Sequence, residues 1–229
     1  MKLFGIVLVL LAFAVDGAQG AGMRTHVEMV DRALQRHLSQ AEQMLPGLSQ
    51  FLAYPGVVRA LYSGSTYPDW GYEGINKDEA EASHWWDYQR RYLKRLQAQC
   101  APPWGDATRK RIAFYIGVLC HGVTDIPWHF STKRHASFLA MTQRKDKAGH
   151  GKTEVSVDLF CHGRNRLKSS MRDWWWPYAD LLAGFKPGHS ASKGQLQRGR
   201  NRQIGLWYAA ALLGRAPAAA LKPDRKSVV

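Results

Sequence analysis

The chain is poor in the features that build sheets or covalent scaffolds. Its three cysteines, Cys100, Cys120 and Cys161, allow at most one bridge with one thiol left over, not a disulfide framework. Cys120 lies in an apolar helical stretch and reads as an ordinary buried residue. Strand patterns are nearly absent. Beyond the N-terminus no segment is long and apolar enough to span a bilayer, Ile204 to Leu213 being too short. Acidic residues are scarce too: 18 against 32 Lys and Arg, for a formal charge of +14 and a pI near 9.9. That excess favours anionic partners (phospholipid surfaces, phosphate esters or nucleic acid) without choosing among them. Part of it is a solvated tail, Lys222, Arg225 and Lys226, and the stretch from Lys186 to Arg202.

The first residues read as a secretory signal peptide. Lys2 precedes an apolar stretch from Phe4 to Val15, then mostly small residues run to Gly22. The stretch is shorter than the ~20 residues a spanning helix needs. Ala18 and Gly20 suit a cleavage site before Ala21. Cleavage removes Lys2 and Asp16, one charge of each sign, so +14 is kept. The expectation is an exported protein: signal peptide 1–20, one domain over 21–215 and a basic tail over 216–229. No internal repeat and no second domain are expected.

What is present is helical. Thr25 and Glu28 form a T-x-x-E capping box that predicts a helix to about Met44, stopped by Pro46. A second helix is expected over Val57 to Tyr62. A turn-rich stretch from Ser63 to Lys77 then carries Tyr67-Pro68-Asp69-Trp70. Asp78 and Glu81 repeat the capping pattern for a helix from there through His84 to about Ala98. Asp106 caps a helix over Ala107 to Asp125, apolar nearly all round from Ile112 to Val123 and hence central; Pro127 is expected to kink or end it. Further helices are predicted over Gly151 to Ser170, Trp174 to Leu182 and Gln203 to Leu213. The fold class is all-α, a compact single-domain bundle.

Chemistry is concentrated in five side chains within 34 residues: His121, Asp125 and His129, then His150 and Glu154. They read H-x-x-x-D-x-x-x-H and H-x-x-x-E, and a spacing of four sets each pair on one helix face. Imidazole with carboxylate is a zinc ligand set. A His at the end of an apolar helix can equally be a hydrogen-bonded core pair, and the stripe His150, Glu154, Asp158, His162 can be a polar face. Asp158 and His162 are not claimed as ligands; His37, His135 and His189 read as bystanders. Three more residues have suitable chemistry: His84 in a capped helix, Asp69 in the turn before it, and His26, the sixth residue of the expected mature chain. His26 would travel with the α-amine of Ala21, which a metal deprotonates readily. Together these donors suffice for more than one ion.

The ordered series Gly22-Met23-Arg24-Thr25-His26, Tyr67-Pro68-Asp69, Ser83-His84-Trp85, His121 to His129 and His150 to Glu154 resembles the zinc-dependent phospholipase C family. It looks closest to the catalytic domain of glycosylphosphatidylinositol-specific phospholipase D. The likeness covers about Ala21 to Leu182, including Pro103-Trp104 and Trp175 to Leu181. It implies three zinc ions. His84, His121, Asp125 and Asp69 would surround one; His129, His150 and Glu154 a second; Ala21 and His26 a third, bridged by Asp125. It also implies phosphodiester hydrolysis by zinc-activated water, with Asp69 orienting or deprotonating that water. The spacing from Asp125 to His129 is shorter than in the bacterial phospholipases and looks like the phospholipase D type. The likeness reaches the catalytic domain and not the large C-terminal propeller of that enzyme, so it implies nothing about its particular anchor substrate.

The partners expected are a phospholipid or other phosphodiester and an anionic membrane surface; no stable protein partner is expected. Trp85, Trp86 and Trp128 flank ligands and could wall the site, contact a head group or be core. Trp174, Trp175 and Trp176 beside Arg172 suit a membrane interface or, again, the core. Two alternatives carry weight. A zinc-dependent single-strand nuclease would have the same kind of site and suits the charge, although no base-stacking platform is visible. A non-catalytic zinc- or lipid-binding module would hold the same ligands without turnover.

Overall fold

A computed structural model describes residues 22–72, 74–130, 137, 158 and 174–213, with side chains to 208. Among these residues there are eight α-helices and no strand. In chain order they are α1 (Met23–Met44), α2 (Leu48–Ala53), α3 (Val57–Thr66), α4 (Lys77–Ser83), α5 (Trp86–Gln99), α6 (Asp106–His129), α7 (Tyr178–Gly184) and α8 (Lys193–Leu213). A single 3-10 turn, Tyr67–Gly71, joins the end of α3 to the approach to α4. The expected helix over Gly151 to Ser170 lies outside the described residues, Asp158 excepted.

The centre is α6, whose residues from Ile112 to His121 are all buried, as a helix apolar all round requires. It crosses α3 at two glycines. A Cβ on Gly64 would collide with the Phe114 carbonyl, and one on Gly117 with the Leu61 carbonyl, so the two backbones touch directly. That closeness completes the carbonyl accounting at the end of α3, where the last four C=O groups lack helical partners. The Ser63 carbonyl lies 3.2 Å from the Thr66 hydroxyl, and the Gly64 carbonyl accepts from Tyr67 N–H. The Ser65 carbonyl accepts from His121 of α6 at 2.8 Å, and the Thr66 carbonyl from Gln203 Nε2 of α8 at 2.6 Å.

Around this pair the remaining helices are tied by a few buried polar groups. Asp180 of α7 accepts from Arg95 of α5 at 2.9 Å and from Arg111 of α6 at 2.6 Å, pairing a buried carboxylate with two guanidinium groups. Tyr67 and Tyr88 share a hydroxyl contact at 2.8 Å, and Tyr88 donates to the Leu181 carbonyl at 3.0 Å.

Several boundaries differ from those read in the sequence. Helix α1 starts at Met23 with Gly22 as its cap, and Thr25 is inside it. The Thr25 hydroxyl is engaged by Asp158 instead of capping, at 2.9 Å, and Glu28 pairs with Arg32 at 2.6 Å. The helix expected through His84 is two helices, α4 and α5, separated at His84 and Trp85; Asn76, not Asp78, accepts from the Glu79 N–H at the start of α4. Helix α3 runs four residues past Tyr62, and the turn carrying Asp69 is 3-10. Pro127 does not end α6, which continues to His129, with Phe130 N–H bonded to the Ile126 carbonyl at 2.9 Å. Trp174 and Trp176 precede α7 and are buried, so the interface reading survives for Trp175 alone of that trio. Cys100 and Cys120 are free thiols, the latter buried as expected; Cys161 lies outside the described residues.

The glycine crossing is testable. Alanine gains roughly 1 kcal/mol of helix propensity over glycine, whereas overpacking costs roughly 1–3 kcal/mol. The obstruction at Gly117 is backbone, which cannot move aside, so Gly117→Ala is expected to lower the free energy of unfolding in urea. Gly122→Ala on the same helix would meet its nearest atoms only at 3.5 and 3.8 Å, and is expected to be neutral or stabilising.

Candidate metal centre

Four elements deliver donors to one place. From α6 come His121, Asp125 and His129, one turn apart on one face. Asp69 comes from the 3-10 turn, where Pro68 presets the backbone and its carbonyl accepts from Ser83 Oγ at 3.2 Å. His84 caps the end of α4, and His26 projects from the first turns of α1.

Asp125 is the hub. Its Oδ2 lies 3.0 Å from His121 Nε2 and 3.8 Å from His84 Nε2. Its Oδ1 lies 3.4 Å from His26 Nε2 and 3.8 Å from His129 Nε2. Asp69 Oδ1 is 3.3 Å from His84 Nε2 and 3.7 Å from His121 Nε2. The rings of His26 and His121 stack with centroids 3.8 Å apart. Six of the nine residues singled out in the sequence therefore converge; Ala21, His150 and Glu154 lie outside the described residues.

Three features of this arrangement fit a cation. Donors on a tetrahedral shell with bonds near 2.1 Å stand about 3.4 Å apart, and the separations above bracket that spacing. The Nδ1–H of His121 donates to the Ser65 carbonyl, and that of His84 to the Ala80 carbonyl at 2.9 Å. Each bond fixes the tautomer that leaves Nε2 as a lone pair, and those two Nε2 atoms face each other at 3.0 Å. Two lone pairs at that distance repel unless a proton or a metal lies between them. Finally, both ring nitrogens of His26 and Oδ1 of Asp125 are buried without a hydrogen-bond partner, which is costly unless something else satisfies them.

Electrostatics point the same way. Burial pushes the His26 imidazole down to about 3, and neighbouring His121 adds to the effect. Burial also opposes charge on His121, but Asp125 and Asp69 outweigh it and lift that imidazole to about 9. Against the same burial, His121 and the other imidazoles hold Asp125 and Asp69 below the usual carboxylate range. Near neutral pH and without metal, His121 thus keeps its proton while His26 is neutral and both carboxylates are ionised.

The position of His26 depends on a contact across the chain. Asp158 accepts from Arg24 N–H at 3.2 Å, Thr25 N–H at 3.0 Å and the Thr25 hydroxyl at 2.9 Å, capping α1 from a distance. Burial pushes its carboxyl up to about 6 against the pull of those donors. A Cβ on Gly22 would collide with this carboxylate, so a larger residue there would have to push Asp158 aside. Arg24, buried over the Trp207 ring at 4.3 Å, ties the same turn to α8. Sequence reasoning set Asp158 aside as a ligand and had no signal for its role as a cap, because helix spacing says nothing about a partner 133 residues away.

Exposure is graded across the centre. The side chains of His26 and His121 are 0 % exposed, His84 and Asp125 12 %, Asp69 25 % and His129 26 %. The closed end is walled by α1 and α6, and the open end by the 3-10 turn and the end of α6. Of the tryptophans near ligands, Trp128 is buried while Trp85 and Trp86 are exposed.

Two outcomes follow. Zinc needs neutral imidazole, so zinc uptake near neutral pH is expected to release about one proton from His121, measured by titration calorimetry in buffers of differing ionisation enthalpy. In metal-free protein, the raised value of His121 gives stability that is full below its ordinary 6.5 and is lost as pH rises through about 9. Thermal melting of chelated protein across that window reads the loss. Separately, Asp158→Ala is expected to cost roughly 1–2 kcal/mol, as lost helix caps do, and to speed zinc loss to a chelator by loosening His26.

Comparison with known proteins places this geometry. A family model described as zinc dependent phospholipase C matches residues 25–199. Among curated proteins, the phosphatidylinositol-glycan-specific phospholipase D of Rattus norvegicus is 27% identical over 191 residues, covering 79% of this chain and 22% of that protein. Its Homo sapiens counterpart is 26% identical over 198 residues, 81% of this chain and 23% of its own length. The Dictyostelium discoideum protein of the same name is 29% identical over 129 residues, 56% of this chain and 13% of its own. The chain spans less than a quarter of the length of these relatives. No solved structure matches. A helical chain with clustered imidazoles and carboxylates, matched by the family model over most of its length, belongs to the zinc dependent phospholipase C family.

Proposed function

We propose that the chain is an exported phosphodiesterase that hydrolyses phospholipid, of C or D type, with three zinc ions. The observation that carries this reading is the convergence of His26, Asp69, His84, His121 and Asp125, from elements far apart in sequence, within 3.0–3.8 Å of one another through Asp125 and Asp69. Asp69, His84, His121 and Asp125 would hold one ion. His26 would hold a second with the Ala21 amine and carbonyl, bridged by Asp125. His129 would hold the third with His150 and Glu154. Removal of residues 1–20 would expose the Ala21 amine, which ties export to assembly of the site. The working domain would be 21–215, with 216–229 as a basic tail.

Zinc, when bound, supplies a Lewis acid for the phosphoryl oxygens and lowers the pKa of coordinated water to about 7. The chain's own residues do the rest. Asp69 sits at the open end on a short turn and is partly exposed. Its Oδ1 faces His84 and His121, and the carboxylate can orient an attacking water and accept its proton. The water oxygen bonds to phosphorus, one P–O ester bond breaks, and the departing oxygen gains a proton to leave as an alcohol. His26, His121 and Asp125 form a buried floor that would retain the ions. The carbonyls of Ser65 and Ala80 hold the rings of His121 and His84 in place.

Asp69→Asn is expected to reduce turnover by roughly 10²–10⁴-fold, the range of a lost general base, with zinc content by mass spectrometry largely kept. Loss of an ion instead would make Asp69 a ligand first. Product analysis on a phospholipid panel, with and without chelator and with single-stranded DNA as a competing substrate, tests the reaction. Cleavage of DNA alone would make the protein a nuclease, and full zinc without cleavage of either would make it a binding module.

A further inference from the structure

Four large apolar side chains stand about half exposed beside the metal centre: Trp85, Trp86, Ile126 and Phe130. Each lies next to a residue of the cluster, or one step beyond it. Trp85 and Trp86 follow His84, Ile126 follows Asp125, and Phe130 follows His129. Where those ligands turn inward, the chain therefore presents hydrocarbon outward around the same opening. The patch is ordered by its own contacts. The Trp85 indole N–H donates to Glu81 at 3.1 Å, and its ring meets that of Phe130 edge-on at 6.4 Å. This pair closes the gap between the corner that carries His84 and the end of α6. Trp128, in the same stretch of α6, is buried, so the exposure of its neighbours is selective.

Half-buried Trp and Phe are suited to the headgroup level of a bilayer, where ring faces meet acyl chains and polar edges meet water. Charge on α5 supports the same partner. Arg90 and Lys94 follow Trp86 at successive turns of one helix face and are exposed, in a chain of formal charge +14. Basic side chains one and two turns from an apolar anchor are placed for lipid phosphates.

We propose that Trp85, Trp86, Ile126 and Phe130 form a rim that seats the protein in a phospholipid bilayer, with Arg90 and Lys94 resting on anionic headgroups. Seated so, the open end at Asp69 and His129 comes to the depth of the lipid phosphate. The idea rests on the phospholipid reading above for its purpose, but its test does not depend on turnover.

Zinc-loaded protein is sedimented with vesicles of phosphatidylcholine and phosphatidylserine in equal parts, and with vesicles of phosphatidylcholine alone. The unaltered chain is expected to bind both, more tightly with phosphatidylserine present. Trp86→Ala and Phe130→Ala should each weaken binding by about tenfold, the worth of withdrawing most of one large side chain from lipid. Arg90→Glu should erase the preference for phosphatidylserine while leaving melting temperature unchanged, which guards against variants that merely misfold. Equal binding by all variants, or no vesicle binding by the unaltered chain, overturns the rim. So would a dimer in sedimentation velocity that Trp86→Ala and Phe130→Ala dissolve without affecting vesicle binding, because the face would then belong to a second copy. Phospholipid products are assayed in the same samples and in detergent micelles. Hydrolysis in micelles without vesicle binding sinks the rim and spares the enzyme; rim-dependent vesicle binding without any phospholipid product does the reverse.

Discussion

The contact on which the centre depends is between two backbones. Where α3 and α6 cross, Gly64 and Gly117 leave no room for even a methyl group, and that absence lets the helices lie close enough for a side chain of one to bond the main chain of the other. His121, one turn beyond Gly117, uses this closeness to donate its Nδ1–H to Ser65, the residue after Gly64. The same bond removes an orphan carbonyl from the end of α3 and aims Nε2 of His121 at Asp125. Fold and site thus share one hydrogen bond. A larger residue at the crossing would separate the helices, and the imidazole would lose its orientation with the packing.

A buried cluster of imidazoles and carboxylates is a poor way to stabilise a helical protein, since each charged group loses hydration that only a partner can replace. The surroundings offset part of that cost. Asp158 satisfies the start of α1, Gln203 satisfies the end of α3, and Asp180 neutralises two arginines on the far side of α6. Among the buried atoms still without a hydrogen-bond partner are both ring nitrogens of His26 and Oδ1 of Asp125. Imidazole nitrogens and a carboxylate oxygen buried together without such partners are the pattern of a site completed by a ligand.

Much of this was legible in the sequence because metal ligation and helix geometry share a period. The spacing of His121, Asp125 and His129 predicted their common face, and the apolar stretch before them predicted that α6 would be central. The errors came from reading side chains as local when they act at a distance. Thr25 looked like a cap because threonine usually bonds its own helix; here Asp158 takes its hydroxyl. Pro127 was expected to kink or end the helix because the ring obstructs the carbonyl four residues back, and α6 carries on past it long enough to place His129. The break at His84 had no local signal either. It separates two helices whose combined pattern reads as one, and it is the break that turns Trp85 outward while His84 faces in.

That break also gives the centre its polarity. A histidine in mid-helix can face only along its own radial direction, as His121 does, and the metal it holds is then closed in by neighbouring turns. His84 and Asp69 sit instead at a helix end and on a 3-10 turn, where the backbone changes direction and the side chain can reach into the cluster while its flank stays open. His26 and His121 at the closed end suit retention, and Asp69 at the open end suits chemistry with something from outside. Asp125 joins the two, since each of its oxygens faces one buried and one more exposed imidazole: Oδ2 toward His121 and His84, Oδ1 toward His26 and His129. A displacement of α6 along its axis would therefore act on both ends together, which is why the packing of that helix, and not any single ligand, governs the site.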